Sequence, residues 1–202
     1  MKNVLFIHSS PMLEQSSSRE LAAHFRSRLL EARPDAQVTE RDLVRHPLPH
    51  IDQAMIASYY TAPEQRSAEQ KEVIATSEAL VDELLAADTV VISTPMHNFT
   101  IPSGLKAWID HVARVGRTFK YTENGPVGLA QGKKVFVLAA SGGDYREGSA
   151  AAAMNHLDPY LKTILGFLGM TDVTFIHAWG MASGSAGLDA AKAEIDALFT
   201  KA

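Results

Sequence analysis

Five short apolar runs, each followed by a stretch with helical spacing, divide this chain and leave it few folds to choose from. The runs are Val4–Ile7, a segment within Ala36–Leu43 centred on Val38, Thr89–Ser93, Lys134–Ala139 and Val173–Ile176. Most lack polar alternation, so they read as strands covered on both faces, the condition met in parallel sheets with helices on either side. Helical spacing is carried between and after them. It runs through Leu21, Ala22, Phe25 and Leu29, then Val73, Ile74, Leu80, Val81, Leu84 and Leu85, then a segment from about Ser103 to Val112. Leu161, Leu165 and Leu168 mark a fourth helix, and Leu188, Ala191, Ile195, Leu198 and Phe199 a fifth. A repeated β-α order predicts an α/β fold, a doubly wound five-stranded parallel sheet of order 2-1-3-4-5 with helices on both faces.

Local signals refine this frame. Ser17 with Glu20 fits a capping box at the first helix, and Asp158-Pro159 fits an N-cap and first-turn pair. Thr118–Tyr121 alternates into Glu123-Asn124-Gly125, a hairpin-type turn. Val44–Pro63 holds Pro47 and Pro49, shows no period and is expected to be irregular. At 202 residues, without linker or repeat, residues 1–202 are expected to form a single domain.

Charge and composition narrow the function. The net charge is -4 and the basic residues form no block, which argues against nucleic acid or an anionic membrane as partner. Cysteine is absent, so disulfides, thiolate catalysis and Cys-ligated metal centres are excluded. No run approaches the ~20 apolar residues of a membrane span, and the amino-terminal run is too short for a signal peptide. A cytoplasmic chain is expected. His46 and His50 lie among prolines rather than on a helix, so no metal site is expected; His8, His24, His111, His156 and His177 are expected to be structural. A G-x-S-x-G elbow is missing, which removes support for a serine hydrolase.

Three loops leave the carboxyl edge of the expected sheet, where open α/β sheets bind ligands. Ser10, Ser16, Ser17 and Ser18 surround the amino end of the first helix; they suit either a helix cap or a phosphate cradle. No glycine precedes Gly104 and no G-x-G follows, which excludes a Walker loop and a dinucleotide fingerprint. A phosphate monoester held by hydroxyls and amides fits better, and FMN is the ligand of that kind common on such sheets. The second loop, Pro95 to Phe99, offers amides for a ring edge and apolar cover from Met96 and Phe99. Ser141-Gly142-Gly143 lets backbone amides approach a ligand closely. Convergence of the three favours a planar cofactor.

At Pro95-Met96-His97-Asn98-Phe99 the chain resembles the flavodoxin-like FMN-dependent NADH azoreductases, also described as NADH:quinone oxidoreductases. The resemblance extends to Ser9-Ser10, Ser16–Ser18, Thr118–Leu129, Gly142-Gly143 and Leu165-Gly166-Phe167-Leu168-Gly169. It implies phosphate contacts from Ser10, Ser16, Ser17 and Ser18, and ring contacts from Met96, His97, Asn98, Phe99, Ser141, Gly142 and Gly143. It implies that Asn98, Phe119, Tyr145 and Phe167 line the substrate pocket, with Phe119 and Phe167 contributed within one chain or across the interface of a homodimer. His97 stands where many relatives have tyrosine, and Tyr145 where a histidine is frequent. The implied activity is hydride transfer from NADH through the flavin N5 to quinones and azo compounds, with no dedicated catalytic side chain. A flavodoxin-type electron carrier and a flavin-free binding module on the same fold are the alternatives.

Overall fold

Strand β1 (Asn3–His8) buries Val4 to Ile7 almost completely, and its side chains alternate between two separate cores. Val4 and Phe6 point to one core, Leu5 and Ile7 to the other. The computed structural model describes residues 1–200 and arranges β1 in a parallel sheet with β2 (Gln37–Asp42), β3 (Thr89–Pro95), β6 (Lys134–Ala140) and β7 (Asp172–Ala178). The order β2-β1-β3-β6-β7 is the expected 2-1-3-4-5. Strands β4 (Phe119–Thr122) and β5 (Gly125–Gly128) make a separate antiparallel hairpin, as the turn signal predicts. Helices α1 (Ser17–Ala32) and α6 (Ala186–Thr200) cover one sheet face through Leu21, Phe25, Leu29 and Ile195. Helices α3 (Ala68–Ala86), α4 (Ser103–Val112) and α5 (Leu157–Phe167) cover the other through Leu80, Leu84, Trp108 and Leu161. No described helix is long and apolar enough to cross a membrane.

Three local expectations are corrected. The cap of α1 is Ser16, whose Oγ accepts from the Arg19 amide at 3.4 Å; Glu20 instead pairs with Lys192 of α6 at 2.5 Å. The capping box sits at α3, where the Ser67 and Gln70 side chains each accept from the other's amide at 3.1 Å. At α5, Asn155 Oδ1 accepts from the Leu157 and Asp158 amides at 3.2 Å each, so Asp158 lies inside the first turn with its carboxylate free for another partner. The span read as irregular contains helix α2 (Gln53–Tyr60), started by Asp52, whose carboxylate accepts from the Met55 amide at 2.8 Å.

Two devices hold the hairpin. A Cβ on Gly128 would fall 2.1 Å from the Gly169 nitrogen, so backbone packs on backbone where the hairpin meets the end of α5. Gly169 itself has φ 96°, a conformation that favours glycine. At the hairpin's base, the Arg114 guanidinium is 1% exposed and donates to Ser77 Oγ at 2.7 Å and Glu78 Oε1 at 2.9 Å. Arg66 and Arg117 also pair with Glu78. Burial pushes the Glu78 carboxyl up, but the Arg114 hydrogen bond and the charges of Arg114, Arg117 and Arg66 outweigh it and hold it below its ordinary value.

Removing one partner of such a pair strands a buried charge. Glu78→Ala is therefore expected to cost about 3 kcal/mol, read as a lower urea midpoint. Because the folded pKa is depressed, the contribution is complete above the unfolded value and disappears as pH falls through the folded one. As pH falls below the ordinary glutamate range the wild type should lose stability faster than Glu78→Ala; parallel pH profiles would contradict this account.

Candidate functional site

The polar residues of the carboxyl edge are held in place by bonds to the strands beneath them. Ser9 donates its amide and hydroxyl to the Ser93 carbonyl, at 3.0 and 3.1 Å, and Ser93 Oγ donates to the Ser18 carbonyl at 2.8 Å. Loop one is thereby tied to the end of β3. The Ser16 hydroxyl donates to Ser10 Oγ at 2.8 Å and lies 3.3 Å from Ser18 Oγ. Gln15, at φ 56°, turns the chain into the cap. The amides of Ser17 and Ser18 open the first turn of α1, where N–H groups have no intrahelical acceptor. Hydroxyls, free amides and the positive helix end thus meet at one point, an arrangement suited to an anion.

Arg19 braces this cradle, a role sequence reasoning missed. Its Nε and Nη2 donate to the Ser10 carbonyl at 3.2 and 2.9 Å, while Nη1 and Nη2 donate to the Asp42 carboxylate at 2.7 and 2.9 Å. Asp42 also accepts from the Val44 and Arg45 amides. Burial raises the Asp42 pKa, but the Arg19 bond, the two amides and the Arg19 charge together hold the carboxyl far below the usual range. The only sequence signal for the pairing is an acid at the carboxyl end of an edge strand, which names no partner.

Loop two is a two-residue turn. His97 and Thr100 exchange both backbone hydrogen bonds, at 2.8 and 3.0 Å, with Asn98 and Phe99 between them at φ 46° and 70°. Positive φ at both central positions is the type I′ pattern, favoured by Asn-Gly and strained with phenylalanine. The turn is joined to its neighbours by the Met96 amide, which donates to the Ala140 carbonyl at 2.8 Å, and by the Phe99 carbonyl, which accepts from His156 at 3.0 Å.

Loop three is fixed from beneath. The amides of Gly180, Met181 and Ala182 donate to the carbonyls of Gly143, Ser141 and Gly142 at 3.0, 2.9 and 3.1 Å. Ser141 Oγ closes the turn on the Gly143 carbonyl at 2.8 Å. With these carbonyls engaged, the Gly142 and Gly143 amides have no protein acceptor among the described residues.

A cleft of about 200 Å³ joins the loops. Ser10 and Ser16–Ser18 line one end, Met96 and His97 one wall, and Ser141 and Gly142 the other; Met12, Gln15 and Met181 also reach it. Asn98 faces an adjoining depression of about 480 Å³ with Ser103, Lys106 and Tyr160. Phe99 and Tyr145 meet edge to face at 6.1 Å, and the Tyr145 ring lies against Gly143. Phe119 and Phe167 are not brought to this cleft within the chain. They pack on each other at 4.6 Å between the hairpin and α5, and Phe119 lines a separate depression of about 260 Å³ with Ile56, Tyr59 and Tyr60. The cleft fits FMN's chemistry, with donors for a phosphate at one end and free amides for a ring edge at the other.

Residues 2–199 match the model of a family described by its flavodoxin-like fold. An FMN-dependent NADH:quinone oxidoreductase of Herminiimonas arsenicoxydans is 50% identical over 194 residues, spanning 96% of this chain and 95% of that protein. The crystal structure of an azoreductase from Bacillus anthracis Sterne superposes with a TM-score of 0.90 at 32% identity, over all of both chains. An FMN-dependent NADH-azoreductase from Bacillus anthracis Ames Ancestor, solved in complex with FMN, also gives 0.90, at 29% identity over 100% of this chain and 99% of that one. Fold, site geometry and these likenesses together place the chain in the flavodoxin-like family of FMN-dependent NADH:quinone oxidoreductases and azoreductases.

Proposed function

We propose that the protein is an FMN-dependent oxidoreductase that takes hydride from NADH and delivers it to quinones and azo compounds. The observation that carries this reading is the cleft in which the hydroxyls of Ser10 and Ser16–Ser18 meet Met96, His97 and the free amide of Gly142. In it the hydroxyls of Ser10, Ser16, Ser17 and Ser18, with the first amides of α1, hold the phosphate. Met96, His97, Asn98 and Phe99 would flank the ring, and the Gly142 and Gly143 amides would donate toward an edge on which reduction places negative charge, as an oxyanion hole does. Bound FMN supplies two-electron chemistry at N5, serving donor and acceptor in turn in a ping-pong cycle. The chain's own part is to orient and polarise; the proton that completes reduction comes from water.

This reading includes a homodimer. Tyr60 and Ile56 are exposed in the Phe119 depression, Tyr60 by 77%, and Tyr121, whose ring meets Phe119, is 70% exposed. A second copy seated there is the route by which Phe119 and Phe167 would reach a cleft, since they do not line that of their own chain.

The visible spectrum of the purified protein, before and after anaerobic NADH, tests the reading. Flavin bands that bleach and return on adding a quinone are expected; bands that ignore NADH would favour an electron carrier, and no flavin uptake would remove the cofactor. Ser16→Ala removes both a cradle hydroxyl and the cap. It is expected to weaken FMN retention on dialysis and to lower stability by about 1 kcal/mol. Sedimentation should show a dimer, and charge at the patch in Tyr60→Glu or Tyr121→Glu should shift it toward monomer with loss of quinone turnover. A wild-type monomer with full turnover would refute the dimeric site.

A further inference from the structure

Aromatic rings continue outward from loop three. Strand β7 lies at the sheet edge, and Phe175, His177 and Trp179 alternate along one side of the chain there, so their rings stack: 5.9 Å and 12° for the first pair, 4.0 Å and 8° for the second. The Trp179 ring approaches Tyr145 at 6.4 Å, and Tyr145 meets Phe99 of the strained turn. Two features make this a fixed arrangement. His177 Nε2 is 3.0 Å from Asp158 Oδ1, the carboxylate left free in the first turn of α5, which sets the plane of the imidazole. Trp179 immediately precedes the amides of Gly180–Ala182 that pin loop three, so the indole is referenced to the same backbone as the cleft.

The composition of the row points to a ligand. The protein has two tryptophans; Trp108 is buried in the core, whereas Trp179 keeps solvent access, as do Tyr145 and Phe99. An aromatic face held rigid and left partly open pays little entropy to receive a second flat ring.

We propose that Phe99, Tyr145, Trp179 and His177 form an aryl subsite beside the cleft, joined to loop three where the Tyr145 ring lies against Gly143. It takes a flat aromatic ring carried at a distance from the reacting group. The proposal rests on the reductase reading and extends it. The second aryl ring of an azo compound and the adenine of the pyridine dinucleotide both have this chemistry. Asp158 acts only through His177, as a positioning residue.

The test uses flavin-loaded wild type, Trp179→Ala and Trp179→Phe, with 1,4-benzoquinone as a one-ring acceptor and methyl red as a two-ring azo acceptor. Trp179→Ala is expected to lower the ratio of kcat/KM for methyl red over benzoquinone about tenfold, through KM, with Trp179→Phe restoring most of it. Calorimetric binding of methyl red to the oxidised protein should weaken by the same factor. If instead the KM for NADH rises and calorimetric binding of NAD+ weakens, with the acceptor ratio constant, the ring received is adenine. Unchanged ratio, dinucleotide KM and calorimetric affinities in variants that retain flavin would overturn the subsite alone. Equal loss for both acceptors would assign Trp179 to the scaffold and overturn it too. A wild type that reduces neither acceptor overturns the reductase reading, and the subsite with it.

Discussion

Burial of the parallel sheet on both faces is the constraint on which everything else here depends. Once helices cover both sides, strands such as β1 and β3 can carry little but apolar side chains, and polar groups are displaced to the strand ends. Because these strands run parallel, the loops after β1, β3 and β6 all leave the same edge. Chemistry collects there because the sheet leaves it nowhere else to go. The site is then made rigid by the same logic: backbone groups that leave the ladder must find partners, and they find one another across loops. Ser93 to Ser18, Met96 to Ala140 and Met181 to Ser141 are all bonds of this kind.

This explains how much of the molecule could be read from its residues. Strand and helix order depends on local apolar spacing, so the sheet order, both faces and the hairpin were legible. The serine, Pro95–Phe99 and Ser141–Gly143 loops were legible as well, because their residue types announce donors and close approach. Helix α2 was not: it spans eight residues after two prolines, and its support is remote. The Arg66 side chain donates to the Ser58 and Thr61 carbonyls, and the Arg114 guanidinium lies 4.2 Å over the Tyr59 ring. Such partners lie outside any local window. Arg19 and Asp42, twenty-three positions apart, escaped for the same reason.

Phe119 and Phe167 show a different limit. A resemblance carries over which residues belong to a site but not which copy of the chain supplies them. Within one chain the two rings satisfy each other, and Gly128 against Gly169 locks the hairpin in that position. Their distance from the cleft is thus a property of the fold itself.

The strained turn at Asn98 and Phe99 completes the argument. Asn98 accepts left-handed backbone readily, but at Phe99 it costs roughly 1–3 kcal/mol, and a chain free to relax would place glycine there. Glycine would remove the strain but also the ring that meets Tyr145 and the amide group that faces the adjoining depression. The paired bonds of His97 with Thr100, and the bond from His156 to the Phe99 carbonyl, hold the unfavourable conformation. The cost is met by the rigid sheet beneath. What it secures is Asn98 at the adjoining depression and the Phe99 ring on Tyr145, from a turn only two residues wide.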